Sequence, residues 1–165
     1  SSIREAGKRT TCLNNLKQIQ AIYEAYRKDH RKSPEGDSQN HDDFSFAKNY
    51  VEVSDLDTFI CPGDSSAEKM TSIDHLDGHT SYTYIPAVTS QKVFTTPVAE
   101  LASNENVDLA SLNLVVLDNN VDNHGGDRNI VYLHGSGNSK AGIAQTLKAG
   151  ASISYRGNSL YFLTR

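Results

Sequence analysis

A polar run that begins at Asp118 holds the residues best suited to bind a cation. Oxygen-bearing side chains stand at alternate positions, Asp118, Asn120 and Asp122, as at the start of a calcium-binding loop. The match then fails, because such a loop requires glycine at its sixth position, here Asn123, and glutamate at its twelfth, here Asn129. A turn between two strands explains the same composition. These three residues are only a partial match, and we predict no bound metal and no cofactor.

Histidine spacing gives no stronger metal motif. Of the six histidines, only His75 and His79 have the i, i+4 spacing of two ligands on one helical face. Gly78 lies between them, and the glutamate of the helical zinc-protease motif is absent. We interpret both as surface loop residues.

The two cysteines, Cys12 and Cys61, leave two interpretations open. They are too few and too far apart for a zinc site built from Cys-x-x-Cys pairs, so they are either buried thiols or one disulfide. Cys12 lies on an apolar helix face, where a thiol is usually inert. Gly135-Ser136-Gly137 lacks the glycine spacing of a nucleophile elbow, and no phosphate-binding loop is present. We therefore predict that the protein is not an enzyme, and an envelope hydrolase is a remote alternative.

The bulk properties indicate one globular domain spanning residues 1–165. A length of 165 residues fits a single core, and a net charge of −4 argues against a general nucleic-acid surface. No run of 18 apolar residues is present, so no segment of this sequence is expected to cross a membrane.

The pattern along the chain divides it into three parts. Residues 1–30 predict a long helix, residues 31–80 a loop-rich segment with a short helix over 42–50, and residues 81–165 mainly a β-sheet. The helix has an apolar stripe at spacings of four and three residues: Cys12, Leu16, Ile19, Tyr23 and Tyr26. Strands are predicted over 82–85, 112–117, 129–133, 151–155 and 159–163, and a short helix over 139–148. This order predicts an α+β fold, with the helix packed on an antiparallel sheet.

Three stretches together resemble one protein family. The run from Arg9 to Ile19 is similar to the segment that directly follows the membrane helix in bacterial prepilin-type proteins related to type II secretion pseudopilins. Cys61-Pro62-Gly63-Asp64, followed by Ser81-Tyr82-Thr83-Tyr84, resembles the family's Cys-Pro-x-Asp and Ser-Tyr-x-Tyr stretches. His124, followed after nine residues by His134-Gly135, resembles its His-x(9)-Asp-Gly signature, with His134 in place of the aspartate. The residues that carry the signature are Asn14, Asn15, Leu16, Lys17, Gln18, Ile19, Pro62, Asp64, His124 and Gly135.

The resemblance implies a pilin-like fold and a structural role. The chain would be the periplasmic part of a subunit in a secretion-related pseudopilus or similar envelope assembly. A hydrophobic helix of about 20 residues before Ser1 would anchor it in the inner membrane and pack against other pilin-like subunits. The alternative function is a membrane-anchored binding module, whose loops 31–43, 64–80 and 86–108 would bind a glycan or an exported substrate.

Two further expectations concern the domain itself. We expect it to be monomeric when isolated, because the helix stripe packs against its own sheet and no second stripe is evident for a stable dimer. The family resemblance carries a cysteine at both positions, and an oxidising envelope favours a Cys12–Cys61 disulfide. Closing a loop of roughly 50 residues would stabilise the domain by about 4 kcal/mol in the chain-entropy model.

Overall fold

A computed structural model describes the chain over residues 2–36, 42–85, 115–118, 123–125, 128–132, 144–147, 152–156 and 159–163. Within these ranges, none of the helices combines the length and the apolar character that crossing a lipid bilayer requires.

The predicted N-terminal helix is confirmed as α1, Ser2–His30. Four stripe residues, Cys12, Leu16, Ile19 and Tyr23, have no exposed surface, because residues three and four apart share one helical face. The helix ends where Arg31 adopts a left-handed conformation, with φ of 57°. Its N–H donates to the carbonyl of Arg27 at 2.7 Å, which satisfies one of the last free carbonyls of the helix.

Three short 3-10 helices follow, at Ser45–Asn49, Val53–Phe59 and Ile73–Leu76. The predicted helix over 42–50 is therefore present in a shorter and tighter form. The side chain of Glu52 and that of Asp55 form a reciprocal capping box at the start of the second 3-10 helix. The backbone N–H of Phe44 donates to the carbonyl of Leu76 at 2.9 Å, which ties the first and third of these helices together.

The strands form two separate antiparallel sheets. The first contains β1 (Tyr82–Ile85), β2 (Val115–Asp118), β3 (Arg128–Tyr132) and β4 (Ala144–Leu147), in the order β1-β2-β3-β4. The second is the hairpin of β5 (Ser152–Arg156) and β6 (Ser159–Leu163). The sequence predicts a hairpin here with Arg156 in the turn, whereas Arg156 belongs to β5 and pairs with Ser159.

The predicted fold class, a pilin-like helix packed on one antiparallel sheet, is wrong. Of the 14 buried apolar residues among those described, four belong to α1 and seven to the segment 44–76. That segment was predicted to be loop-rich and instead supplies most of the layer that covers the helix. The strands contribute only Tyr82, Tyr84 and Val131 to this described core. The six described strands are also divided between two sheets, whereas one sheet is predicted.

An aromatic cluster explains why the 3-10 segment covers the helix. Phe44 lies 5.8 Å from Phe59 and 6.1 Å from Tyr84, measured between ring centroids. Tyr84 makes an edge contact with Tyr23 of α1 at 6.5 Å, and its hydroxyl donates to the carbonyl of Pro34 at 2.8 Å. Large buried rings dominate core energetics, so this cluster holds the polar segment after α1 in place.

The helix predicted over 139–148 is also wrong where the structure describes it. Residues 144–147 form β4, which pairs with β3 from Ala144 opposite Val131 to Leu147 opposite Arg128. Tertiary pairing overrides helix propensity in so short a segment.

Candidate functional site

Two cysteines and a histidine meet in the interior of the described structure. The two Sγ atoms of Cys12 and Cys61 and one ring nitrogen of His124 all lie within 4.8 Å of one another. Sγ of Cys61 is 3.2 Å from Nε2 of His124. The exposed fractions of the three residues are 0%, 1% and 3%, so the cluster is closed to bulk water.

Each of the three residues comes from a different element. Cys12 belongs to the buried stripe of α1, and Cys61 opens the turn after the second 3-10 helix. In that turn the N–H of Asp64 donates to the carbonyl of Cys61 at 2.9 Å. The Asp64 carboxylate in turn accepts the N–H and the hydroxyl of Ser66 at 3.1 and 2.6 Å. The Asp64 side chain therefore fixes the turn that presents the Cys61 thiol.

Gly63 allows this turn to lie directly against the backbone that carries His124. A Cβ added at Gly63 would overlap the carbonyl oxygen of Asn123 and would lie 3.2 Å from Cε1 of His124. No side chain larger than hydrogen fits there without a shift of the backbone. The glycine therefore positions the imidazole next to Cys61.

A chain of hydrogen bonds supports the cluster from one side. The amide of Asn15 donates to the carbonyl of Ile60 at 3.0 Å and to the hydroxyl of Tyr82 at 3.2 Å. The Tyr82 hydroxyl donates to Sγ of Cys12 at 3.4 Å. Burial, and secondarily the nearby Cys12, raises the pKa of Tyr82 well above its usual value. The phenol therefore keeps its proton and remains a donor to the sulfur.

This arrangement can support two kinds of chemistry. Two sulfurs and an imidazole nitrogen are ligands that thiophilic metal ions prefer. Two sulfurs this close can also form a disulfide after a small side-chain rotation. In the structure both cysteines are thiols, and no bond joins them. The Cys12–Cys61 disulfide therefore stays a prediction.

The remaining family-signature residues take different places. Leu16 and Ile19 are core residues, whereas Asn14, Lys17 and Pro62 are exposed. The side chain of Gln18 accepts the hydroxyl of Thr58 at 3.1 Å, which links α1 to the second 3-10 helix. Gly135 and His134 lie outside the described residues.

Two of the three candidate ligands in the partial calcium loop, Asn120 and Asp122, lie outside the described residues, and Asp118 is described only as the last residue of β2. The histidines His75 and His79 do come together, with ring centroids 4.9 Å apart. Nδ1 of His75 accepts the N–H of Thr71 at 3.2 Å, so that ring serves the local turn.

Two of the surface clefts in the described part of the chain bear on the predicted sites. One, of about 450 Å³, lies within the predicted binding loop 64–80 and is lined by residues that include Asp64, Lys69, His75 and His79. The other, of about 330 Å³, lies beside the cysteine cluster and is lined by Thr11, Asn15, Asp57, Thr58, Ile60 and Pro62.

Sequence reasoning did not find the Cys12–Cys61–His124 cluster. The resemblance predicts contact between Cys12 and Cys61, but no motif links either cysteine to His124, which is 63 residues beyond Cys61. One signal was available: each of the three residues lies in a different stretch that carries the family resemblance.

Searches against protein-family models, curated proteins and solved structures found no match for this chain.

Proposed function

We propose that this chain is a pseudopilin-like structural subunit of an envelope assembly on the periplasmic side of the inner membrane. In this proposal it has no catalytic role. A hydrophobic segment before Ser1 anchors it in the membrane, and related subunits are its partners.

The proposal rests on one observation: residues from all three stretches that resemble the prepilin-type family are in contact with one another. Cys12 and Asn15 come from the first stretch, Cys61 and Tyr82 from the second, and His124 from the third. They contact one another in one buried cluster through the hydrogen bonds given above. Chance similarity in three separate stretches would not require the matching residues to touch. Their contact supports the interpretation that the resemblance reflects one structural unit.

The first turns of α1 give a second line of support. From Ile3 to Thr11 no residue of the helix is buried, and Ile3 is 85% exposed. Burial begins at Cys12. The unbroken exposed run covers only Ile3 to Gly7, since Lys8 and Arg9 are half-buried. The side-chain amide of Asn129 in β3 donates to the carbonyl of Arg9 at 3.2 Å. These first exposed residues of the helix are available to contact neighbouring subunits.

Photo-crosslinking in cells that make the whole gene product tests this function. A photoreactive residue at Ile3 should give a ladder of products spaced by one subunit mass. The matched control is Val53, another exposed apolar residue at 51% exposure, which belongs to the second 3-10 helix. It should give no ladder if assembly occurs along the helix. A gene product found only in the cytosol, with no crosslinked species from either position, would refute the proposal.

A membrane-anchored binding module is the second candidate function, and the 450 Å³ cleft within the loop 64–80 is the observation that favours it. The described lining of this cleft contains no phenylalanine, tyrosine or tryptophan, the side chains on which sugar rings commonly stack. A glycan array probed with the domain and with the variant Lys69→Ala would detect such binding. Loss of a signal in the variant would favour this function over assembly.

A further inference from the structure

We propose that Cys12, Cys61 and His124 bind one thiophilic metal ion of the Zn²⁺ class, through two thiolate sulfurs and one imidazole nitrogen. This inference goes beyond the proposed structural role and does not depend on it.

The distances between the ligand atoms fit such an ion. Zinc lies about 2.3 Å from sulfur and about 2.0–2.1 Å from imidazole nitrogen in tetrahedral sites, so its ligand atoms are roughly 3.5–3.8 Å apart. Here the three atoms lie within 4.8 Å of one another, and the Cys61–His124 pair is at 3.2 Å. Small rotations of the side chains are enough to close the site around an ion.

Charge also fits. A divalent ion with two thiolates and a neutral imidazole has no net charge, which suits a site whose ligands are at most 3% exposed. The two side chains that support the site, Asn15 and Tyr82, are neutral as well. Binding releases the two thiol protons to solvent, so the affinity should fall steeply as the pH is lowered.

The hydrogen bond to the Cys12 sulfur has its donor on Tyr82, as a metal-bound thiolate requires. A metal-bound sulfur is an acceptor, and Tyr82 donates to Cys12 at 3.4 Å while Asn15 holds the phenol by donating to it at 3.2 Å. Outer partners of this kind orient metal ligands and tune their basicity. A disulfide would not involve the imidazole of His124, whereas a metal site uses all three side chains.

A small surface cleft lies next to the cluster, although none of the three ligands lines it. Two of its lining residues, Thr11 and Pro62, are the immediate sequence neighbours of Cys12 and Cys61. The described residues supply three ligands, which leaves a fourth position for a water molecule or another ligand.

Metal titration of the whole chain tests the site. Protein stripped by a chelator under reducing conditions is titrated with Co²⁺, and bound Co²⁺ is then displaced with Zn²⁺. We expect one ion per chain, with the visible bands of tetrahedral cobalt and sulfur-to-cobalt charge transfer. Cys12→Ser, Cys61→Ser and His124→Gln should each lower the affinity by about 100-fold or more, and Tyr82→Phe by about tenfold. His75→Gln is the matched control histidine and should bind like the wild type.

X-ray absorption spectroscopy of the zinc-loaded wild-type protein identifies the atoms bound to the metal. This measurement needs no variant, so it tests the proposal even if the ligand variants do not fold. Two sulfurs and one imidazole nitrogen around zinc would support the proposal. A shell of oxygen and nitrogen only, or no ion retained at one equivalent, would overturn it. Metal-free protein that is recovered from the periplasm without reductant and has no alkylatable thiol would also overturn it, in favour of the disulfide.

Discussion

Substitution of Gly63 by alanine tests the close approach on which the buried cluster depends. The new methyl group would overlap the backbone carbonyl of Asn123, which has no flexible side-chain end that could move aside. Overpacking that forces a backbone shift costs typically about 1–3 kcal/mol, and a backbone neighbour places this site at about 3 kcal/mol. For a domain of 165 residues this corresponds to a fall in melting temperature of about 6–12 °C.

Two other glycines provide matched controls for the same substitution. Gly7 lies on an exposed turn of α1 with nothing within 4 Å of the added Cβ, so Gly7→Ala should stabilise by about 0.8–1 kcal/mol through helix propensity. Gly125 also has open space but a φ of +63°, so Gly125→Ala should cost about 1–2 kcal/mol from backbone strain alone. The three variants thus separate steric overlap, helix propensity and strain.

Urea unfolding of all three variants, in reducing buffer with chelator, measures these differences without any contribution from metal. We expect the order of stability Gly7→Ala, wild type, Gly125→Ala, Gly63→Ala. A Gly63→Ala variant within about 0.5 kcal/mol of the wild type, the range of a neutral surface change, would refute the close packing of this turn against Asn123.

Three further predictions concern the hydrogen bonds of Asn15, the second 3-10 helix and the buried tyrosines. Asn15→Ala should destabilise by about 2–3 kcal/mol, because it removes two donated hydrogen bonds, whereas exposed Asn14→Ala should be neutral; urea midpoints distinguish them. Leu56→Ala should cost about 2–5 kcal/mol and Val53→Ala less than about 0.5, since only Leu56 is buried. Equal effects in thermal melts would contradict the role of this 3-10 helix in the core. The contribution of the buried tyrosines to stability should be constant below about pH 10. Above that pH it should fall by about 1.4 kcal/mol per pH unit for each buried tyrosine until the folded pKa is reached, because the unfolded phenols ionise first. The tyrosines with raised pKa values through burial are Tyr23, Tyr82 and Tyr84. Phenolate absorbance that rises before unfolding, and that is assigned to one of these three tyrosines by comparison with its Tyr→Phe variant, would contradict this.

Local periodicity was enough to predict several elements. The spacing of Cys12, Leu16, Ile19 and Tyr23 predicted both the helix and its buried face, because one face of a helix repeats every 3.6 residues. The strands β1 and β3 and the β5–β6 hairpin lie close to their predicted positions, since each is a short apolar run beside turn residues.

Other features carried no periodic signal. A 3-10 helix of four to seven residues completes only one or two turns, so the core residues Phe44, Leu56 and Leu76 form no repeating stripe. The segment 44–76 was therefore predicted to be loop-rich, and the fold class was predicted from the helix and strands alone. At residues 144–147 the local sequence predicts a helix, but the segment is a strand because it pairs with β3.

The sequence by itself determined which residue types are available and which face of α1 is apolar. It also contained the three stretches that resemble the prepilin-type family. Only the tertiary structure decided that Cys12, Cys61 and His124 meet, because their contact depends on how the 3-10 segment folds back over the helix and on the turn at Gly63. Periodicity describes neighbours within one element. Contact between residues on separate elements follows from packing, which no local pattern encodes.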